Sequence, residues 1–262
     1  MAARSKEAGG AALRSSMTVG QLTLREERSR TVKASERVAQ DIVRDIVRRG
    51  LATGDRLPLE AAMVEEYGVS RTSLREALRL LEVQGLISLK PGPGGGPVVG
   101  AVEPSHLART AALYFHLSAA TYADLMGAQV LMESTCARLA ALNPEREAFM
   151  APWLEQELPD DTPTYRDVTV GFHGAVYEAA ANPVLSLLTQ SVTHTVTQHV
   201  VGTMDPVELR GQIVDEHEEL ARVIAKGDAD DAGRMMAEHF AVQHAFLRKR
   251  SPARIEETVQ WR

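Results

Sequence analysis

Residues Leu57 to Pro91 read LPLEAAMVEEYGVSRTSLREALRLLEVQGLISLKP, and this stretch decides the fold of the front of the chain. Its apolar spacing predicts a helix from Leu59 to Tyr67, a tight turn at Gly68-Val69, and a second helix from about Arg71 to Gln84. Ser70 can cap that second helix and Gly85 can end it. Leu86 to Leu89 reads as a short strand, PGPGGGP (91–97) as a loop, and Val98-Val99 as the returning strand. Working backwards, Val38, Ala39, Ile42, Val43 and Ile46 form one apolar stripe on a helix that starts near Ser35 and stops at Gly50. The order predicts a winged helix-turn-helix over residues 31–100.

On a helical wheel, Leu74, Ala77, Leu78 and Leu81 share one face and can pack inward. Thr72, Arg75, Glu76 and Arg79 fall on the opposite face, with Arg71 in the first turn, the part a recognition helix presents to a major groove. An arginine fork can grip guanine or a phosphate, and Ser70, Thr72 and Ser73 offer hydroxyls and backbone N–H groups for phosphates. Lys90 and Gly92 sit where the wing would approach the backbone of a duplex. The expected partner is double-stranded DNA.

Charge is divided along the chain. Residues 1–104 hold 16 Lys/Arg against 13 Asp/Glu, and residues 105–262 hold 13 against 22. The net charge of -6 thus hides a mildly basic front and an acidic back. No apolar run reaches the roughly 20 residues that span a bilayer, and residues 1–16 lack the apolar core of a signal peptide. The single cysteine, Cys136, lies among apolar neighbours and reads as a small core residue. These features fit a cytoplasmic protein with no membrane association. Residues 1–30, without apolar period, read as a disordered tail, and residues 250–262 as a flexible C-terminal tail.

From Ser105 the pattern is helical throughout, broken at Asn143-Pro144, near 159–163, at Asn182-Pro183, at Asp205-Pro206 and at Gly227-Asp228. Residues 105–249 are therefore expected to form an all-α bundle of six or seven helices, making the fold mostly α. Three of the eight histidines border apolar stripes of different helices: His173, His217 and His239. Imidazoles converging from three helices are the usual way to hold a divalent transition metal of the zinc or nickel class. His106, His116, His194, His199 and His244 have no partner at helical spacing.

These segments carry a resemblance. LPLE (57–60), YGVSRTSLREAL (67–78), LEVQGLI (81–87) and PGPGGG (91–96) resemble the DNA-binding domain of GntR-family regulators. FHGAVYEAAANPVL (172–185), VDEHEELARVIAKGDADDA (214–232) and MMAEHF (235–240) resemble the ligand-binding FCD domain of the FadR subfamily. The resemblance implies that Arg71 and Arg75 contact DNA, and that His173, His217 and His239 are metal ligands. It also marks three departures. Where the family has arginine after the LPxE glutamate, this chain has Ala61, so Arg56 substitutes or the contact is reduced. Where the family has an Asp or Asn ligand four residues before the first histidine, this chain has Thr169; Asp167, six residues before it, points elsewhere on the helix. Three outcomes stay open there: a three-histidine site completed by water or effector, a weakened site, or a polar pocket without metal. Where the family often has an arginine that binds a carboxylate effector, this chain has Gln129, which with Met132, Glu133 and Cys136 could line one side of a pocket. Gln129, Glu133 and Thr169 are thus the candidate effector contacts. An organic acid remains a candidate effector, and a less anionic ligand gains ground.

The expected function is a homodimeric, effector-switched transcription regulator, a repressor by family habit, on a pseudo-palindromic operator. The rivals are an architectural DNA binder without effector and a metal-dependent enzyme. The second lacks HExxH, a clear base and a nucleophile beside one.

Overall fold

The computed structural model describes residues 19–92, 95–155, 161–201 and 207–261. It divides into two compact units, Met1–Val102 and Glu103–Arg262.

The first unit contains helices α1 (Val19–Arg49), α2 (Glu60–Tyr67) and α3 (Arg71–Val83) and strands β1 (Ile87–Lys90) and β2 (Gly96–Val99). The strands pair antiparallel, with Ile87 opposite Val99 and Lys90 opposite Gly96. The residues before α2 lengthen this ribbon, because Leu57 N–H donates to Pro97 O and Val99 N–H to Asp55 O. Gly68 ends α2 with a φ of 61°, a left-handed conformation that glycine adopts without a Cβ clash. Ser70 then caps α3 by accepting from Ser73 N–H. Leu74, Ala77, Leu78 and Leu81 of α3 are buried against Val38 and Ile42 of α1, Met63 of α2 and Ile87 of β1. The winged helix-turn-helix is as the sequence predicts.

One boundary differs. The first helix begins at Val19, not near Ser35, so residues 19–30 are helical where a disordered tail was expected. Ser35 is buried inside the helix rather than capping it. QLTLREERSRTVK (21–33) contains neither Gly nor Pro, and its Gln, Leu, Arg, Glu and Lys are good helix formers. Once the amphipathic segment downstream is anchored, each added residue only propagates the helix. Residues 1–18 of the expected tail lie outside the described residues, as do residues 93 and 94 of the glycine-rich loop.

The second unit contains α4 (Pro104–Leu117), α5 (Tyr122–Leu142), α6 (Arg146–Met150), α7 (Thr162–Ala179), α8 (Pro183–His199), α9 (Arg210–Lys226), α10 (Ala229–Arg250) and α11 (Pro252–Ile255). Its named elements among the described residues are all helical, with two further short 3-10 turns, and one isolated antiparallel bridge joins Thr121 to Thr258. The expected breaks at Asn143, Asn182 and Gly227 are N- or C-caps of these helices. Helices α4 to α10 are seven, within the expected six or seven, while α11 falls in the segment expected to be a tail; α6 and α11 carry too few residues to show a period.

Helix α5 lies at the centre and touches α7, α8, α9 and α10. Its small residues Ala137, Ala140 and Ala141 join Phe172, Val176, Leu220, Ile224, Met236 and Phe240 in the main core. Gly233 lets α10 pass close to α5: a Cβ there would stand 2.4 Å from Arg138 Cγ. Cys136 is buried in this core, with its thiol pushed up to about 11 by burial, as expected of an inert core cysteine.

The C-terminal segment is docked, not loose. Ile255 and Val259 are fully buried beside Tyr122, Leu125 and Met126. Val259 N–H donates to Ala120 O, Tyr122 N–H to Glu257 O, and Gln260 N–H to the Tyr122 hydroxyl. Its two anchors stand four residues apart in an otherwise polar stretch, too sparse a pattern to read as an element. Ile255→Ala is expected to destabilise the second unit by about 2–5 kcal/mol through the cavity it leaves. Urea unfolding followed by circular dichroism measures this, and a change below roughly 1 kcal/mol, the size of a surface effect, would contradict the docking.

Candidate metal and effector site

Three helices bring the three histidines together. His173 is on α7, His217 on α9 and His239 on α10; all are buried, and one ligand nitrogen from each lies within 4.8 Å of the others. Each lies on the inward stripe that its neighbours dictate: Phe172 and Val176 beside His173, Ile213, Leu220 and Ile224 beside His217, Ala232 and Met236 beside His239. Phe172 stacks on the His217 ring at 4.2 Å and 19°, which fixes that imidazole in place.

The donor pattern suits a cation. His239 Nδ1 lies 2.6 Å from Glu216 Oε2; a carboxylate accepts, so Nδ1 carries the proton and the Nε2 lone pair faces the cluster. Burial holds both His239 and His217 below the usual imidazole range; neighbouring imidazoles push each further down, while at His239 the Glu216 hydrogen bond opposes the shift without reversing it. The two Nε2 atoms stand 3.2 Å apart. Two nitrogens that share one zinc at about 2.1 Å each stand roughly 3–3.5 Å apart, so the pair already has the spacing of two ligands of one ion. Nearby, Thr169 Oγ1, His173 Nδ1, His217 Nδ1 and Glu133 Oε2 are buried without a hydrogen-bond partner, a cluster of orphaned polar atoms. These residues fit a divalent metal. Asp167 is exposed, as its rotation on the helix predicts.

Beside the cluster is a cavity of about 480 Å³, within the range of small-molecule pockets. His173, Thr169, Gln129 and Gln243 line it, together with Arg166 and His194. The structure brings Thr169 and Gln129 to this wall as expected but gives Gln129 a different task. Glu133 Oε1 accepts from the Tyr177 hydroxyl at 2.5 Å and from Thr193 Oγ1 at 2.8 Å. Thr193 has one proton and gives it to Glu133, so its oxygen accepts from Gln129 Nε2 at 3.1 Å. Gln129 Oε1 is then left to accept from His244 Nε2 at 3.1 Å. Both ends of the Gln129 amide are thereby held within the protein. Glu133 is fully buried, does not line the cavity, and has its other oxygen 3.5 Å from His173 Nδ1. Gln129 and Glu133 are thus tied into the wall rather than open toward an effector.

His244 is one of the five histidines to which spacing gives no partner. It lies five residues after His239, off that residue's stripe, and its partner is far away in sequence. Of the remaining histidines, His194 lines the cavity, while His116 Nδ1 meets Val259 O, His199 Nδ1 the Tyr122 hydroxyl, and His106 Nδ1 Arg109. Burial holds His244 down to about 4, with help from Arg248 and His239. Its folded value lies below the unfolded value near 6.5, so the unfolded chain takes up the proton first. The contribution of His244 is full above pH 6.5 and declines as pH falls toward 4, by on the order of 3 kcal/mol. Denaturant unfolding of the chelated protein at pH 7 and pH 4.5 is expected to show this loss, and His244→Gln to lessen it. Equal pH dependence in the two proteins would remove His244 as the cause.

In the first unit, Arg56, Ser70, Arg71, Thr72, Arg75, Arg79, Lys90 and Gly92 are all exposed. Arg75 is ion-paired through Nε to Glu60 of the LPLE segment at 2.9 Å. Ser73 departs from expectation: it is buried, and its N–H and hydroxyl both meet Ser70 Oγ. Capping geometry turns Ser73 inward, so its place is in the helix cap and not among the groups open to phosphate.

Comparison with known proteins agrees with both units. Residues 34–95 match the family described as bacterial regulatory proteins, gntR family, and residues 124–242 match the FCD domain. The Uxu operon regulator of Haemophilus influenzae is 28% identical over 216 residues, covering 78% of this chain and 77% of its own. The HTH-type transcriptional repressor NanR of an Enterobacter species is 26% identical over 250 residues, covering 88% and 93%. The solved structure of Streptococcus agalactiae GntR shares the fold with a TM-score of 0.55 at 18% identity, over 80% of this chain and 99% of that one. No helix among the described residues is long and apolar enough to cross a membrane. The matched families and these relatives are transcription regulators, not enzymes, and the chain belongs to the GntR family, FadR-like subfamily, with a C-terminal FCD domain.

Proposed function

We propose that this regulator is a cytoplasmic homodimeric repressor whose hold on a two-fold-related operator is set by a divalent metal and a small metabolite in the helical domain. The observation that carries the reading is the meeting of three buried imidazoles from three helices at the wall of a ligand-sized cavity. His173, His217 and His239 would hold the ion, and Thr169 lies one helical turn from His173 on the same wall. A bound zinc or nickel would supply a Lewis-acidic position for an oxygen of the effector.

Arg166 supplies the cationic side chain of the cavity wall that Gln129 does not, and spacing alone missed it because it falls outside the apolar stripe of α7. A small organic acid can therefore still be read, through Arg166. For DNA, Arg71, Thr72, Arg79 and the Glu60-oriented Arg75 form the reading face, Arg56, Ser70, Lys90 and Gly92 flank it, and two such faces read two half-sites. Exposed apolar side chains, among them Val184 and Leu188 one turn apart on α8 and Leu131 on α5, favour burial against a second copy.

An operator affinity that is changed by the effector must be matched by an equal change in effector affinity. The test is operator binding followed by fluorescence anisotropy, in zinc and in chelator, across a panel of small organic acids. A shift that requires both zinc and one acid supports the proposal. Binding indifferent to every ligand and to chelation would favour an architectural DNA binder instead.

A further inference from the structure

Three imidazoles leave one position of a tetrahedral ion open, and Thr169, one turn before His173, offers only a hydroxyl, a short and weak donor to zinc. The oxygen the site lacks can come from a different helix. Gln243 is four residues after His239 on α10, one turn away on the same face. Its carboxamide lies 2.7 Å from His239 Nε2, and it lines the same cavity as His173 and Thr169.

That contact is chemically crowded. His239 Nδ1 holds its proton toward Glu216, so Nε2 has one lone pair. Both the Gln243 amide and His217 Nε2, at 3.2 Å, converge on that lone pair. A single lone pair satisfies one donor well, whereas a cation among the three groups accepts from all of them. A half-turn of the carboxamide about its last bond exchanges Nε2 for Oε1 at the same place, because the two ends have nearly the same shape. We propose that Gln243 Oε1 is the fourth protein ligand of the metal, replacing the carboxylate that Thr169 lacks, with the Gln243 N–H on His239 Nε2 closing the site when no ion is bound.

The inference rests on the reading of His173, His217 and His239 as metal ligands. Its consequence is a ligand set of neutral donors only, three imidazoles and one amide, with the carboxylates of Glu216 on His239 and Glu133 beside His173 standing behind the ligands.

The test uses full-length protein stripped of metal, with zinc affinity measured by competition against a chromogenic chelator and ligand geometry by the visible spectrum of the cobalt-loaded form. Gln243→Leu is expected to weaken zinc binding by about 10- to 100-fold and to alter the cobalt spectrum. Gln243→Glu should match or exceed the parent affinity, since a carboxylate oxygen fits the same place. Thr169→Asp added to Gln243→Leu should restore binding from the α7 side. Thermal unfolding and operator binding of the stripped variants check that the fold is kept. If Gln243→Leu does not fold, Gln243→Glu decides: zinc affinity well below that of the parent overturns the proposal. Parent-like zinc affinity and cobalt spectrum in a folded Gln243→Leu would overturn the proposal and leave the three-histidine reading standing. Failure of the parent protein itself to bind zinc, nickel or cobalt would overturn both.

Discussion

Arg71→Ala is expected to lower operator affinity by about 100-fold or more while leaving the fold unchanged. A bidentate arginine–guanine contact is worth about 1–3 kcal/mol, and a two-fold operator loses it twice. The fold is spared because Arg71 is exposed at the first position of α3, while Leu74, Ala77, Leu78 and Leu81 carry the packing. Arg75 differs in kind. Its Nε is held by Glu60, which positions the fork but also offsets part of its charge. Arg75→Ala should therefore cost less than Arg71→Ala, and Glu60→Gln should shift affinity rather than abolish it. With Ala61 in place of the arginine that the resemblance leads one to expect, Arg71 is expected to carry a larger share of the contact. The measurement is anisotropy titration at several salt concentrations. Loss of specificity at one base position marks base reading; a uniform loss with a shallower salt dependence marks a phosphate contact. Affinity unchanged at physiological salt would remove Arg71 from the interface.

What could be read in the sequence tracks how local the cause is. The winged helix was legible because its signals are short-range: a glycine at positive φ, a serine cap and an i, i+3, i+4, i+7 stripe, each within one or two turns. The three histidines were legible as inward-facing because each sits on its own helix's stripe; that they meet at one level of the bundle is a tertiary fact that periodicity does not give. The contacts of Gln129, His244 and Gln243 were not legible. Gln129 and His244 are 115 positions apart, and no periodicity within either helix announces that they meet. Ser73 looked available from its residue type, and only the cap geometry shows it turned inward. The C-terminal segment was missed for the converse reason, since two buried aliphatic residues in a polar stretch carry tertiary but no local information.

The other large effect belongs to His217. Purified protein is expected to carry about one divalent metal per chain, and His217→Ala to carry none. The three rings form a near-equilateral triangle, with His217 5.0 Å from His173, 4.8 Å from His239, and those two 5.6 Å apart by centroid, so removing His217 leaves two imidazoles and breaks the cluster. At zinc concentrations about 100-fold above Kd, binding to the folded state alone adds about 2.7 kcal/mol of stability. For a domain of this size that is a rise in Tm of roughly 5–10 °C. Truncation also opens a void beside Phe172, whose ring stacks on His217, so the variant starts from a lower Tm. The informative quantity is therefore the difference between zinc and chelator within each protein, in which that packing loss cancels. The difference should be present in the parent and absent in His217→Ala. Asp167→Ala, at an exposed position of α7 away from the cluster, should retain it. A zinc-dependent rise of equal size in parent and His217→Ala would place the ion elsewhere on the protein and dissociate the three histidines from metal.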